Sequence, residues 1–223
     1  MVKINDICHM IAIIKGDIIA SRKLINPEKW LMPLKELLGS WGTSPRQWEL
    51  VWGDFFQLEI ANPSNALERA IEIKALIKSI EPVDSSKNIG SIDVRMAIGI
   101  GDKTHSAQRI SESNGPVFIF SGEKFEKLRK EKTTLALQSP WEDFNDEMNL
   151  CLRLANTFMD KWSLSSAELI KMILENPNTT QKEIGKALGI KQSSVSGRWN
   201  RANVDEVKEL NAMYRKKLKK LIL

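Results

Sequence analysis

Met10-Ile11-Ala12-Ile13-Ile14-Lys15-Gly16-Asp17 is a run of five apolar residues closed by a lysine and a Gly-Asp pair. An apolar run that does not alternate is expected of a strand covered on both faces, at the centre of a sheet rather than its edge. It also places a carboxylate at the strand's end. Residues 1–9, which mix acid, base and apolar side chains, read as a tail before it.

The pattern around this strand alternates between sheet and helix. Trp30, Leu31, Leu34, Leu37 and Leu38 recur at helical spacing after Asn26-Pro27, a cap followed by proline at the first helical position. Trp48 to Trp52 and Phe55 to Ile60 are two β-prone runs joined at Gly53-Asp54, which predicts a hairpin. Asn62-Pro63 opens a second helix carrying Ala66, Leu67, Ala70, Ile73, Ile77 and Ile80, stopped by Pro82. Ile92 to Ile100 reads as another central strand, with Gly99 and Gly101 leaving room for a close approach of backbone. A short strand is expected at Pro116 to Phe120, then a helix capped by Ser121, then a last strand at Thr133 to Leu137. This order predicts an α/β (α+β) sheet of mixed direction with helices packed on it, over residues 10–138.

From Trp141 onward every pattern is helical. Trp141, Phe144, Met148, Leu152, Ala155 and Met159 form one stripe, the mark of a connecting helix over 139–162. A helix beginning near Ser165, with Glu168 completing a capping box, opens an all-α domain over 163–223. Its last helix, Val204 to Leu221, carries Val207, Leu210, Tyr214, Leu218 and Leu221 on one stripe. That stripe suits either a coiled-coil dimer seam or docking onto the rest of the helical domain.

Charge divides at the same place. The chain of 223 residues carries a net +5, but Lys161 to Leu223 holds 13 basic and 6 acidic residues. That is +7 there, against −2 for the 20 basic and 22 acidic residues before it. A basic module beside a near-neutral one points to a nucleic-acid partner for the former. No apolar run reaches the roughly 18 residues that a membrane span needs, so no membrane partner is expected. With no secretory signal pattern, the chain is expected in the cytoplasm. Cys8, Cys151, His9 and His105 are too few and too scattered for a disulfide framework or a zinc set.

If hairpin and first strand are neighbours, Asp17 and Asp54 converge, and two carboxylates facing a substrate phosphate suit Mg2+ or Mn2+. Ile18, Ser21 and Arg22 would then offer backbone N–H groups and a guanidinium to phosphate oxygens. Gly16-Asp17-Ile18-Ile19-Ala20-Ser21-Arg22, Trp52-Gly53-Asp54-Phe55-Phe56-Gln57 and Val94 to Gly101 resemble the SatD family. More distantly they are similar to class III nucleotidyl cyclases and diguanylate cyclases. The resemblance covers about half the chain. It implies a ferredoxin-like, nucleotidyl cyclase-like sheet domain, in which Asp17 and Asp54 hold a metal and Ile18 to Arg22 wrap a nucleotide. The match departs from the cyclases at Phe55, where diguanylate cyclases carry a second acid. It departs again on the late helix, where no Asn/Arg pair is found; Gln108-Arg109, Lys124 and Lys127 are substitutes by chemistry alone. A degenerate cyclase domain that senses a nucleotide or metal is the expectation; a working cyclase and a non-catalytic dimerisation scaffold are the alternatives.

In the last third, Thr180 caps a helix with Glu183 at its third position, Ile184 and Leu188 face inward, and Ala187 is small. Gly189 can take the positive φ of a tight turn, after which Ile190 and Val195 complete a miniature core. The next helix presents Gln192, Ser193, Ser196, Arg198 and Arg201, groups suited to base edges and phosphates, with Lys182 and Lys191 beside them. This segment resembles the helix-turn-helix of bacterial regulators and sigma-factor-like modules. It implies double-stranded DNA as partner and, by the half-site logic of such proteins, a homodimer. The function expected is a DNA-binding transcriptional regulator.

Overall fold

The computed structural model describes residues 10–20, 26–51, 53–81 and 92–222. It is a mixed α/β structure. Five strands, β1 (Met10–Ile19), β2 (Trp48–Val51), β3 (Phe55–Ile60), β4 (Asp93–Asp102) and β5 (Leu135–Gln138), form one open sheet in the order β2-β3-β1-β4-β5. Neighbours are antiparallel except β4 and β5, which run parallel. The helices are α1 (Glu28–Gly39), α2 (Ala66–Lys78), α3 (Pro116–Glu131), α4 (Glu142–Met159), α5 (Leu164–Glu175), α6 (Gln181–Leu188), α7 (Gln192–Ala202) and α8 (Val204–Ile222). No helix among the described residues is long and apolar enough to cross a membrane.

β1 is central and covered on both faces, as its apolar run requires. Ala12, Ile14 and Ile18 join the main core, and Ile11 and Ile13 join a second cluster with Ile110, Val117 and Phe118. β4 divides in the same way, with Val94, Met96, Ile98 and Ile100 in the main core and Ala97 packed with Leu128 and Ala136. α3 lies close on this second face. A Cβ on Gly99 would stand 2.4 Å from the Val117 carbonyl oxygen, so the helix's approach depends on that glycine.

Pro116 to Phe120 is not a strand but the first turns of α3. Gly115, at φ 145°, ends the preceding loop and Pro116 takes the first helical turn. Val117, Phe118 and Ser121 then face inward while Ile119 is exposed, a helical spacing that a five-residue apolar run conceals. Ser121 is therefore interior rather than a cap, and its Oγ donates back to the Phe118 carbonyl at 3.0 Å. The cap of α5 moves too. Ser163, not Ser165, accepts from the Ser166 N–H, and Glu168 forms no capping box. Pro82 lies outside the described residues.

The edge of β5 is closed by side chains rather than by another strand. Asn149 of α4 accepts from the Leu137 N–H at 2.9 Å and donates to its carbonyl at 2.9 Å, and Asn156 donates to the Leu135 carbonyl at 3.0 Å. An open edge is thereby blunted against pairing with another chain. The apolar core continues without a break from the sheet into the helices, joining Leu67 and Ile71 of α2 to Ile170 of α5, Met148 of α4 and Tyr214 of α8. The stripe on α8 is used within the chain. Val207, Leu210, Tyr214 and Leu218 are buried, Leu221 is exposed, and the Tyr214 hydroxyl donates to the Pro63 carbonyl at 2.7 Å.

A buried charge network ties the two halves. Lys74, with none of its surface exposed, pairs with Asp93 at 2.8 Å and Asp160 at 2.8 Å, while Lys78 pairs with Asp93 at 3.3 Å and donates to the Asp160 carbonyl at 2.8 Å. Removing one partner from such a network leaves charge without compensation. Lys74→Ala is expected to lower unfolding free energy by about 3–5 kcal/mol, measured by urea denaturation with an unchanged m-value.

Candidate functional sites

Two regions carry the polar chemistry. The first is a cleft of about 450 Å3 between α3 and the sheet. The register puts Asp17 of β1 opposite Phe55 of β3 on one side and opposite Arg95 of β4 on the other. The Ile18 N–H donates to the Asp54 carbonyl at 3.1 Å, locking the hairpin tip to the end of β1. Asp17 and Asp54 therefore line the same cleft, as adjacency of hairpin and strand predicts, together with Arg95 and with Phe125, Glu126 and Arg129 of α3. The Phe55 and Phe125 rings meet edge to face, 5.4 Å between centroids, and form its apolar wall.

Arg95 changes what the acidic pair can do. Its Nε and Nη2 donate to Asp17 Oδ1 and Oδ2 at 2.9 and 2.5 Å, a two-pronged pair that engages both carboxylate oxygens. Among the described residues no group of three or more His, Cys, Asp or Glu is gathered so as to hold a metal ion. A carboxylate already forked onto a guanidinium does not fit the donor set that Mg2+ or Mn2+ requires. Ile18 is likewise unsuited to a phosphate. Its N–H is committed to Asp54 and its side chain is buried in the main core. Ser21 and Arg22 lie outside the described residues.

Of the substitutes on chemistry alone, none lines the cleft. Arg109 pairs with Glu49, Lys124 pairs with Glu131 at 2.9 Å, and Lys127 is exposed on α3. Arg95, Phe125, Glu126 and Arg129 line the cleft although the sequence reading assigns none of them to a site. Arg95 could have been found from the register, because pairing the last residues of β1 with the first of β4 sets it across from Asp17. Beneath α3, Lys15 is held half-buried with its Nζ 3.4 Å from the Phe118 carbonyl. Burial pushes its pKa down, opposed by the charge of Glu126.

The second region is the pair α6 and α7. Thr180 Oγ1 accepts from the Glu183 N–H and the Glu183 carboxylate accepts from the Thr180 N–H at 2.8 Å, the reciprocal cap expected from the sequence. Those bonds hold the Glu183 carboxyl below its usual range. Gly189 takes φ 65°, a left-handed conformation in which glycine carries no steric penalty. The chain then folds back tightly. The Ile190 N–H donates to the Gly185 carbonyl at 2.9 Å, and a Cβ on Gly185 would lie 2.9 Å from the Ile190 oxygen.

Ile184, Val195 and Ala202 are buried, whereas Lys182, Lys191, Gln192, Ser193 and Arg201 are exposed and Ser196 and Arg198 half-exposed. Trp199 is turned to α8, where its Nε1 donates to Asp205 at 3.0 Å and Lys208 lies over its ring at 4.8 Å. α7 itself contains no acidic residue. No protein-family model matches the chain, and no curated protein matches its sequence.

The Asp17–Arg95 pair is open to a double-mutant cycle. Asp17→Asn and Arg95→Met are each expected to destabilise, Arg95→Met more because it leaves a carboxylate alone. The double variant should lose less than the sum by about 1–2 kcal/mol in urea unfolding.

Proposed function

We propose that this chain is a DNA-binding transcriptional regulator in which α6, the Gly189 turn and α7 act as a helix-turn-helix. One observation carries the reading: the apolar residues of α7 are committed to the core while its polar and basic residues, with Lys182 and Lys191 beside them, stay at the surface. In this arrangement Gln192, Ser193, Ser196 and Arg198 reach base edges in the major groove, and Arg201, Lys182 and Lys191 meet phosphates. The Trp199 contacts to Asp205 and Lys208 fix the pitch of α7 against α8, which suits a helix that must enter a groove at one angle.

The sheet part is read as ferredoxin-like and cyclase-like. Its order β2-β3-β1-β4 with antiparallel neighbours, and the meeting of Asp17 with Asp54, support that reading. The ion pair between Asp17 and Arg95 favours a non-catalytic role over a working cyclase. A nucleotide in the cleft would meet Arg95 and Arg129 as counter-charges where a cyclase presents a cation. A homodimer belongs to the proposal. Because the α8 stripe is buried within the chain, its interface would use another surface, and the exposed Leu150 and Leu154 of α4 are available.

Fluorescence polarisation with duplex DNA at about 50 mM salt tests the reading, because phosphate contacts release counterions and binding should weaken steeply as salt rises. Arg198→Ala is expected to cost about 1–3 kcal/mol of affinity, whereas Lys219→Ala, at the exposed end of α8, should change affinity by less than about twofold. Absence of binding to any duplex under those conditions, or the opposite ranking of the two variants, would sink it.

A further inference from the structure

Between the sheet half and the DNA-facing half lies a second cavity, of about 290 Å3, bounded by α2, α5 and α8. Ile71, Ile173, Leu174 and Val207 give it an apolar lining. Its polar wall is built from three side chains. Glu68 Oε2 accepts from Asn211 Nδ2 at 2.7 Å and pairs with Arg215 Nη2 at 2.8 Å. The carboxylate thereby fixes which way the Asn211 amide is turned. Asn211 is only 8% exposed, and its Oδ1 finds no hydrogen-bond partner among the described residues; nor does the buried Nε of Arg215.

Each such group keeps the cost of its desolvation uncompensated, and native structures keep few of them. Here two occur one turn apart on the same helix, in the wall of one cavity. One is an acceptor and the other a cationic donor. Lys208, also on the lining, adds a second positive charge. A ligand satisfying this wall brings an N–H donor, an anionic oxygen close by and an apolar body. We propose that the cavity binds an α-amino acid with an apolar side chain, its ammonium donating to Asn211 Oδ1 and its carboxylate accepting from Arg215 Nε near Lys208. Both protein atoms are sealed from water, so the ligand enters as the Arg215 side chain, 42% exposed, moves aside.

The binding step is independent of the reading given above, but its consequence rests on that reading. Lys208 stacks on Trp199 of α7, so a carboxylate that draws Lys208 toward the cavity loosens the clamp setting the DNA-facing helix.

Isothermal titration calorimetry of the full chain without DNA, using L-leucine and L-phenylalanine, tests the site. At least one should bind, while 4-methylpentanoate, which lacks the ammonium, and leucinamide, which lacks the carboxylate, should bind at least about tenfold more weakly. Asn211→Leu should remove binding. Should that variant fail to fold, Ala212→Trp, placed at an exposed position on the lining, fills the cavity from outside and should abolish binding with the circular dichroism unchanged. No binding of either amino acid up to about 10 mM, or binding unaltered in Ala212→Trp, overturns the proposal. Because no DNA is present, failure of the DNA-binding reading leaves this result standing.

Discussion

The structure depends on the antiparallel ladder between β1 and β4, which pairs Met10 with Asp102 at one end and Ile19 with Asp93 at the other. Both strands are covered on both faces, so a slip of β1 by one residue would drive Lys15 and Asp17 from the α3 face into the main core, and a slip of β4 would do the same to Arg95. The cost of burying those charges holds the register. The same register sets Asp17 against Arg95 and, through β3, brings Asp54 to the end of β1. Core packing and cleft chemistry are thus two results of one alignment.

A second constraint joins the halves. α2 presents Leu67, Ala70, Ile71 and Ile73 to the main core, and the core continues into α5 and α8. Lys74 and Lys78 on the same helix reach Asp93 of β4 and Asp160 at the end of α4. Burying two ammonium groups is tolerated only because two carboxylates, the Asp160 carbonyl and Thr134 are placed around them. Apolar packing and the charge network together seat α2 against β4 and the end of α4.

Much of this is legible in the sequence. An unbroken apolar run marked β1 as central and a run that alternates before turning wholly apolar marked β4, Gly53-Asp54 marked the hairpin, and the Thr180/Glu183 cap with Gly189 marked the turn between α6 and α7. These features are local: a cap, a positive φ and a doubly buried run follow from residues that are neighbours in sequence. Three other features were not legible, one because a short local pattern is ambiguous and two because they join residues far apart in sequence. Pro116 to Phe120 is short and apolar, and five such residues fit the start of a helix as well as a strand. The meaning of Asp17 was set by Arg95, 78 positions away, whose role exists only once the strands are aligned. The polar wall of Glu68, Asn211 and Arg215 is more distant still, since it needs α8 to fold back onto α2.

The charge asymmetry acquires a physical sense from this arrangement. Several of the basic residues of the last third do not face solvent as a diffuse field. Arg215 is paired with Glu68, Lys217 with Glu147, and Lys208 stacks on Trp199. These cations fasten the terminal helix to the rest of the chain and so are compensated within it. Those of α6, α7 and the turn between them, Lys182, Lys186, Lys191, Arg198 and Arg201, belong to none of the ion pairs seen among the described residues. α7 carries no acid and the Glu183 carboxylate of α6 is spent on the Thr180 cap, so these cations concentrate positive potential where a polyanion can approach. The net +7 is therefore less informative than its partition. Arg215, Lys217 and Lys208 hold α8 to its neighbours, whereas the cations of α6 and α7 stay at the surface.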